Sequence, residues 1–118
     1  MASGTSLYYG HDKPIGITSL GELDDPEADY SFDILFVFKD DASNRVFYGR
    51  DSGCSCPSPF EDFTWDGPDK NSFTEVTKAN FESFINVLWA EYYRGYYTDE
   101  KREIENKVKK VLNVWHAR

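Results

Sequence analysis

Apolar and polar positions alternate most regularly over residues 30–39, where Phe32, Ile34, Phe36 and Phe38 share one parity and Asp33, Leu35, Val37 and Lys39 the other. A period of two predicts a β-strand, with the aromatic-rich set turned toward the core. The middle of the run is apolar on both faces, which predicts a central place in the sheet. Asp40-Asp41-Ala42-Ser43-Asn44 then carries turn chemistry, and Val46, Phe47 and Tyr48 return as a second strand over 45–50. A weaker strand is expected over 15–23, where Ile15, Ile17, Leu20 and Leu23 are interspersed with Gly16 and Gly21. The acidic, proline-containing stretch from Asp24 to Asp29 opposes any regular element after it.

Near the C-terminus the period changes. Phe81, Phe84, Ile85, Leu88, Trp89 and Tyr92 fall on one helical stripe. Ser72 with Glu75, or Thr77, is expected to cap its start and Gly95 to end it. Ile104, Val108, Val111, Leu112 and Trp115 form a second stripe, with Thr98 as the expected N-cap. Asp99 and Glu100 in its first turn and Lys109 and Lys110 near its end suit the helix dipole. Both stripes are read as core packing. Strands followed by helices predict an α+β fold. The expected architecture is a small antiparallel sheet of about three strands, a long Cys/Pro loop over 51–72 and two C-terminal helices, in a single domain over 1–118.

The loop is expected because Pro57 and Pro59 remove backbone donors two residues apart among Gly53, Ser52, Ser55 and Ser58. Loops of this length are uncommon in a small domain and are often functional. Phe60, Phe63 and Trp65 are expected to pin it to the core.

Composition adds a sign and a class. The chain has 118 residues, 17% of them aromatic, enough large rings for one core. Its formal net charge is -8. Residues 1–70 hold 14 acidic and 5 basic side chains, against 7 and 8 in residues 71–118, so the acidity belongs to the first part. An acidic surface opposes direct binding to nucleic acid or to anionic membranes. No apolar run approaches the ~20 residues that span a bilayer, and a cytoplasmic location is expected.

Candidate chemistry is sparse. Cys54 and Cys56 with His11 and His116 would supply four zinc ligands, but the Cys-x-Cys spacing is tighter than usual and neither histidine has a companion. A cysteine nucleophile would need a base, and nothing in the sequence brings either imidazole to the loop. The acidic clusters match no calcium loop, and no phosphate-binding glycine loop is present. Neither catalysis nor a cofactor is expected. Tyr93, Arg94 and Tyr96, with Tyr92 and Tyr97 beside them, are residue types that anchor protein interfaces and also stack on nucleotide bases. Two of the four tyrosines are expected to pack inward. The candidate binding residues are therefore Cys54, Cys56, Phe60, Trp65, Tyr93, Arg94 and Tyr96.

The block Asp51-Ser52-Gly53-Cys54-Ser55-Cys56-Pro57-Ser58-Pro59-Phe60-Glu61-Asp62-Phe63, with Phe47-Tyr48 upstream, resembles the signature of an uncharacterised family of small actinobacteriophage proteins, including those of mycobacteriophages. The resemblance implies a phage accessory protein made inside a bacterial host, and implies no activity and no catalytic residue. Small size, an acidic aromatic-rich surface and the lack of a catalytic constellation lead to the expectation of a non-enzymatic protein that binds a host protein. The alternatives are an anti-defence protein sequestering a small nucleotide, a small zinc-binding domain, and a mimic of nucleic acid.

Overall fold

The computed structural model describes residues 16–26, 31–54 and 73–113, apart from the side chains of Phe32 and Cys54. Its elements in chain order are β1 (Ile17–Leu23), β2 (Ser31–Asp40), β3 (Arg45–Cys54), β4 (Thr74–Val76), α1 (Phe81–Asn86), a π-helical segment (Val87–Glu91) and α2 (Thr98–Leu112). The strands form one sheet in the order β1-β2-β3-β4, each antiparallel to its neighbour. The fold is thus α+β, with four strands where three are expected, because β4 at 3 residues is too short to show an alternation. Asp51–Cys54 also differ from expectation. They extend β3, pairing with β2 up to Ser31↔Cys54, so the first four residues of the expected loop are strand. The rest of that segment, with Cys56, Phe60 and Trp65, lies outside the described residues, as do His11 and His116.

β2 is internal and buried on both faces, as its sequence predicts. The helices, however, pack on the aliphatic face, where Leu35 and Val37 meet Val46, Phe81, Phe84, Leu88, Ile104 and Val108. The aromatic face forms a second cluster of Ile34, Phe36, Phe38, Phe47 and Phe73. There the Phe38 ring lies 5.3 Å from Phe36, 5.7 Å from Phe47 and 5.1 Å from Phe73 between centroids. A strand apolar on both sides does not declare which side takes the helices.

β1 carries a bulge. Its register passes from Ser19↔Phe38 to Gly21↔Val37, leaving Leu20 as the extra residue. In a regular strand Leu20 and Leu23 would point to opposite faces. The bulge brings both into the cluster under the helices.

Phe81, Phe84, Ile85, Leu88 and Tyr92 of the first stripe and Ile104 and Val108 of the second are buried as predicted; Trp115 lies outside the described residues, and the ends of the helices differ from expectation. Thr77 and Asn80 bond reciprocally ahead of α1, with Thr77 N–H donating to Asn80 Oδ1 at 2.6 Å and Asn80 N–H to Thr77 Oγ1 at 3.3 Å. Glu75 lies in β4, where its carboxylate accepts from Arg45, and Ser72 lies outside the described residues. The helix stops at Glu91, before Gly95, which sits instead in the following turn with φ +91°. Tyr97 rather than Thr98 is the residue before α2, in a left-handed conformation with φ 59° and no side-chain cap.

Candidate interaction surface

The joint between the helices is built from Tyr92 outward. Tyr92 ends the π-helical segment through its N–H, which donates to Val87 O at 2.9 Å. Its ring is fully buried. Its hydroxyl lies 2.6 Å from both Leu23 O and Asp33 O, tying the helical layer to the ends of β1 and β2. Burial, then the negative charge of Asp33 and Asp24, pushes the phenol far above its ordinary range.

Arg50 lies over this ring, its guanidinium 4.9 Å from the Tyr92 centroid and 5.9 Å from that of Tyr93. It also forks onto Asp33, Nε to Oδ1 at 3.0 Å and Nη2 to Oδ2 at 2.8 Å. Register makes this a diagonal cross-strand pair, because Arg50 faces Leu35 and Asp33 faces Ser52. The hydrogen bond from Arg50 holds the Asp33 carboxyl below the usual carboxylate range. Tyr93 packs edge-on against Tyr92 at 4.8 Å. Burial, then the nearby Asp33 carboxylate, pushes the Tyr93 phenol up to about 12.

The backbone beyond Tyr92 is strained. Tyr93 (φ 42°) and Tyr97 (φ 59°) are both left-handed, and each such non-glycine residue costs on the order of 1–2 kcal/mol. Lys101 holds this geometry. It is 1% exposed, and its ammonium donates to Tyr92 O at 2.5 Å and Tyr93 O at 3.1 Å. Its Nζ sits 5.9 Å from the ring centres of both Trp89 and Tyr92. Two further bonds close the turn, Tyr96 N–H to Tyr93 O at 3.0 Å and Lys101 N–H to Tyr97 O at 2.7 Å. Burial lowers the Lys101 pKa.

Arg94, Gly95 and Tyr96 face outward from this frame. Tyr96, 44% exposed, is the exposed large hydrophobic side chain among the described residues. Tyr97 is half-buried beside it, its phenol raised first by burial and then by the charges of Asp24, Glu100 and Asp25.

A half-open groove of about 160 Å³ adjoins the turn, lined by Leu20, Gly21, Glu22 and Leu23 of β1 and by Glu100, Glu103, Ile104 and Lys107 of α2. Gly21 brings the two elements together, since a Cβ there would stand 2.4 Å from Ile104 Cγ1. Glu100, three residues after Tyr97, lines the groove and also raises the Tyr97 phenol.

Of the sequence-predicted contacts, the structure brings Tyr93, Arg94 and Tyr96 together in one turn. Tyr93 is part of the buttress rather than the outer face. Cys54 is the last residue of β3, opposite Ser31. Sequence reasoning missed Asp33, Arg50, Lys101 and the groove. Lys101 alone left a signal, standing three residues before Ile104 and seven before Val108 on the apolar stripe. Among the described residues no group of three His, Cys, Asp or Glu side chains is placed to hold a metal, and no helix is long and apolar enough to cross a membrane.

Sheet, helical layer and buttressed turn define a small α+β protein. The chain belongs to the family described as Domain of unknown function (DUF7574), which matches residues 6–114. No curated protein and no solved structure matches it.

Proposed function

We propose that this chain is a non-enzymatic phage accessory protein that binds a host protein in the bacterial cytoplasm, with Tyr96 and Arg94 as principal contacts. The observation that carries the reading is Tyr96, 44% exposed on a turn whose backbone is fixed from beneath by Lys101 and Tyr92. Tyrosine and arginine dominate interface energetics, and a rigid mount lowers the entropy lost on binding. The resemblance of the Cys-Pro block to small actinobacteriophage proteins supplies the phage origin and the host setting. A nucleotide-sequestering role draws no support from this surface. Asp24, Asp25, Asp33 and Glu100 act on the phenols of Tyr93 and Tyr97, and their charge repels an anionic ligand.

The test is affinity capture from host lysate with the wild-type chain and with an R94A/Y96A variant. One specific protein is expected with the wild type, and its affinity is expected to fall roughly 10- to 30-fold in the variant, as for a pair of interface hot spots. Capture of nothing above background, or equal capture by both proteins, overturns the proposal.

A further inference from the structure

We infer that the groove between β1 and α2 receives a lysine or arginine side chain of the protein partner. The inference rests on the reading above and names the chemistry that the partner presents. The groove has two kinds of wall. Leu20, Leu23 and Ile104, each less than 10% exposed, bring core side chains to its floor, and Gly21 adds no side chain of its own. Its rim carries the carboxylates of Glu22, Glu100 and Glu103 against one ammonium, Lys107, which lies 3.9 Å from Glu103.

An apolar floor under an anionic rim matches an aliphatic stem that ends in a cation. The size agrees, since a cavity of roughly 150 Å³ accommodates a benzene-sized group and this groove is about 160 Å³. An apolar side chain would satisfy the floor and add no cation to a rim that holds three carboxylates and one ammonium. An acidic one would face three carboxylates. The field of the whole chain has the same sign, with a net charge of -8 that favours encounter with a basic partner surface. Glu100 stands in the first turn of α2, which follows directly on the turn that carries Tyr96.

Titration of the ¹⁵N-labelled full chain with capped Gly-Arg-Gly, Gly-Lys-Gly, Gly-Leu-Gly and Gly-Glu-Gly peptides tests this directly. The arginine and lysine peptides are expected to give saturable amide shifts at residues 20–23 and 100–107, the leucine peptide weaker ones and the glutamate peptide none. The exposed pair E100Q/E103Q is expected to weaken arginine-peptide binding at least about fivefold, equivalent to roughly 1 kcal/mol. E82Q on α1, also exposed, should leave it unchanged. Shifts scattered over the acidic surface, equal binding of the leucine peptide, or equal weakening by E82Q overturns the inference. The titration uses no partner. A groove that binds arginine beside an empty lysate capture refutes the host-protein reading alone; a silent groove beside a successful capture refutes this inference alone.

Discussion

Tyr92 shows how one side chain can join three parts of the molecule. Its backbone ends the π-helical segment, its ring fills the core beneath Arg50, and its hydroxyl reaches the last residue of β1 and the third of β2. Removing that hydroxyl in Tyr92→Phe takes away the one donor that the Leu23 and Asp33 carbonyls share, while keeping the ring. The expected cost is about 1–3 kcal/mol, read from urea unfolding at pH 7. The same variant has a pH signature. The Tyr92 phenol is raised on folding, so above about pH 10 the unfolded chain loses its proton first. Stability therefore declines as pH rises through that range, and Tyr92→Phe is expected to make the decline shallower. Lys101 acts in the opposite sense. Its pKa is lowered on folding, so the burial of its charge opposes stability at neutral pH, and the opposition fades as pH rises toward the ordinary lysine value. What that unfavourable burial secures is the left-handed turn that carries Tyr96.

At the scale of elements, the contact between β1 and α2 decides the shape of the proposed groove. Gly21 sits where the sheet comes closest to Ile104, and an added methyl would overlap both Cγ1 at 2.4 Å and Cδ1 at 2.6 Å. Gly21→Ala is expected to destabilise the chain by about 1–3 kcal/mol, as overpacking of a tight contact does, measured as a shift of the urea midpoint at unchanged slope. None of this contact was legible in the sequence. Leu20 and Leu23 are an odd number of residues apart, so alternation assigns them to opposite faces, and only the bulge reunites them. The central strand and the two helical stripes were legible because each carries an uninterrupted period of its own. The caps were less so. Thr77 meets Asn80 as a local reciprocal pair, whereas Tyr97 precedes α2 in a left-handed conformation with no side-chain cap, its carbonyl accepting from the Lys101 N–H. The groove draws one wall from the start of the chain and one from its end, and no local pattern announces such a meeting. The turn sat between these extremes. Its residue types made it a candidate contact, but only the fold separates the buttressing Tyr92 and Tyr93 from the exposed Tyr96.

Across the whole molecule, a net charge of -8 raises the question of which carboxylates favour the folded state. Charge alone does not, because a carboxylate with the same proton affinity folded and unfolded adds nothing to the pH dependence of stability. Asp33 and Glu75 are different. Arg50 forks onto the first and Arg45 onto the second, at 3.0 and 2.8 Å in each case, and both carboxyls titrate below their ordinary values, chiefly through those hydrogen bonds. A depressed carboxyl contributes stability that is fully present above its unfolded pKa, near 4, and is lost as pH falls through the lower folded value. The acid limb of stability is therefore expected below about pH 4. Asp33→Asn isolates one part of it. The variant keeps the shape of the side chain but gives up the charged fork, so it should cost on the order of 1 kcal/mol at pH 7 and progressively less toward pH 2, where the wild-type carboxyl is itself protonated. Urea midpoints for both proteins at pH 7, 4 and 2 check this, and a gap that stays constant across the three would show that Asp33 does not carry the acid limb. Because Arg50 also stacks on Tyr92 and Tyr93, the same substitution should speed amide exchange in the Tyr93–Tyr97 turn at neutral pH. The charge pair beneath the surface and the aromatic contact upon it would then loosen together.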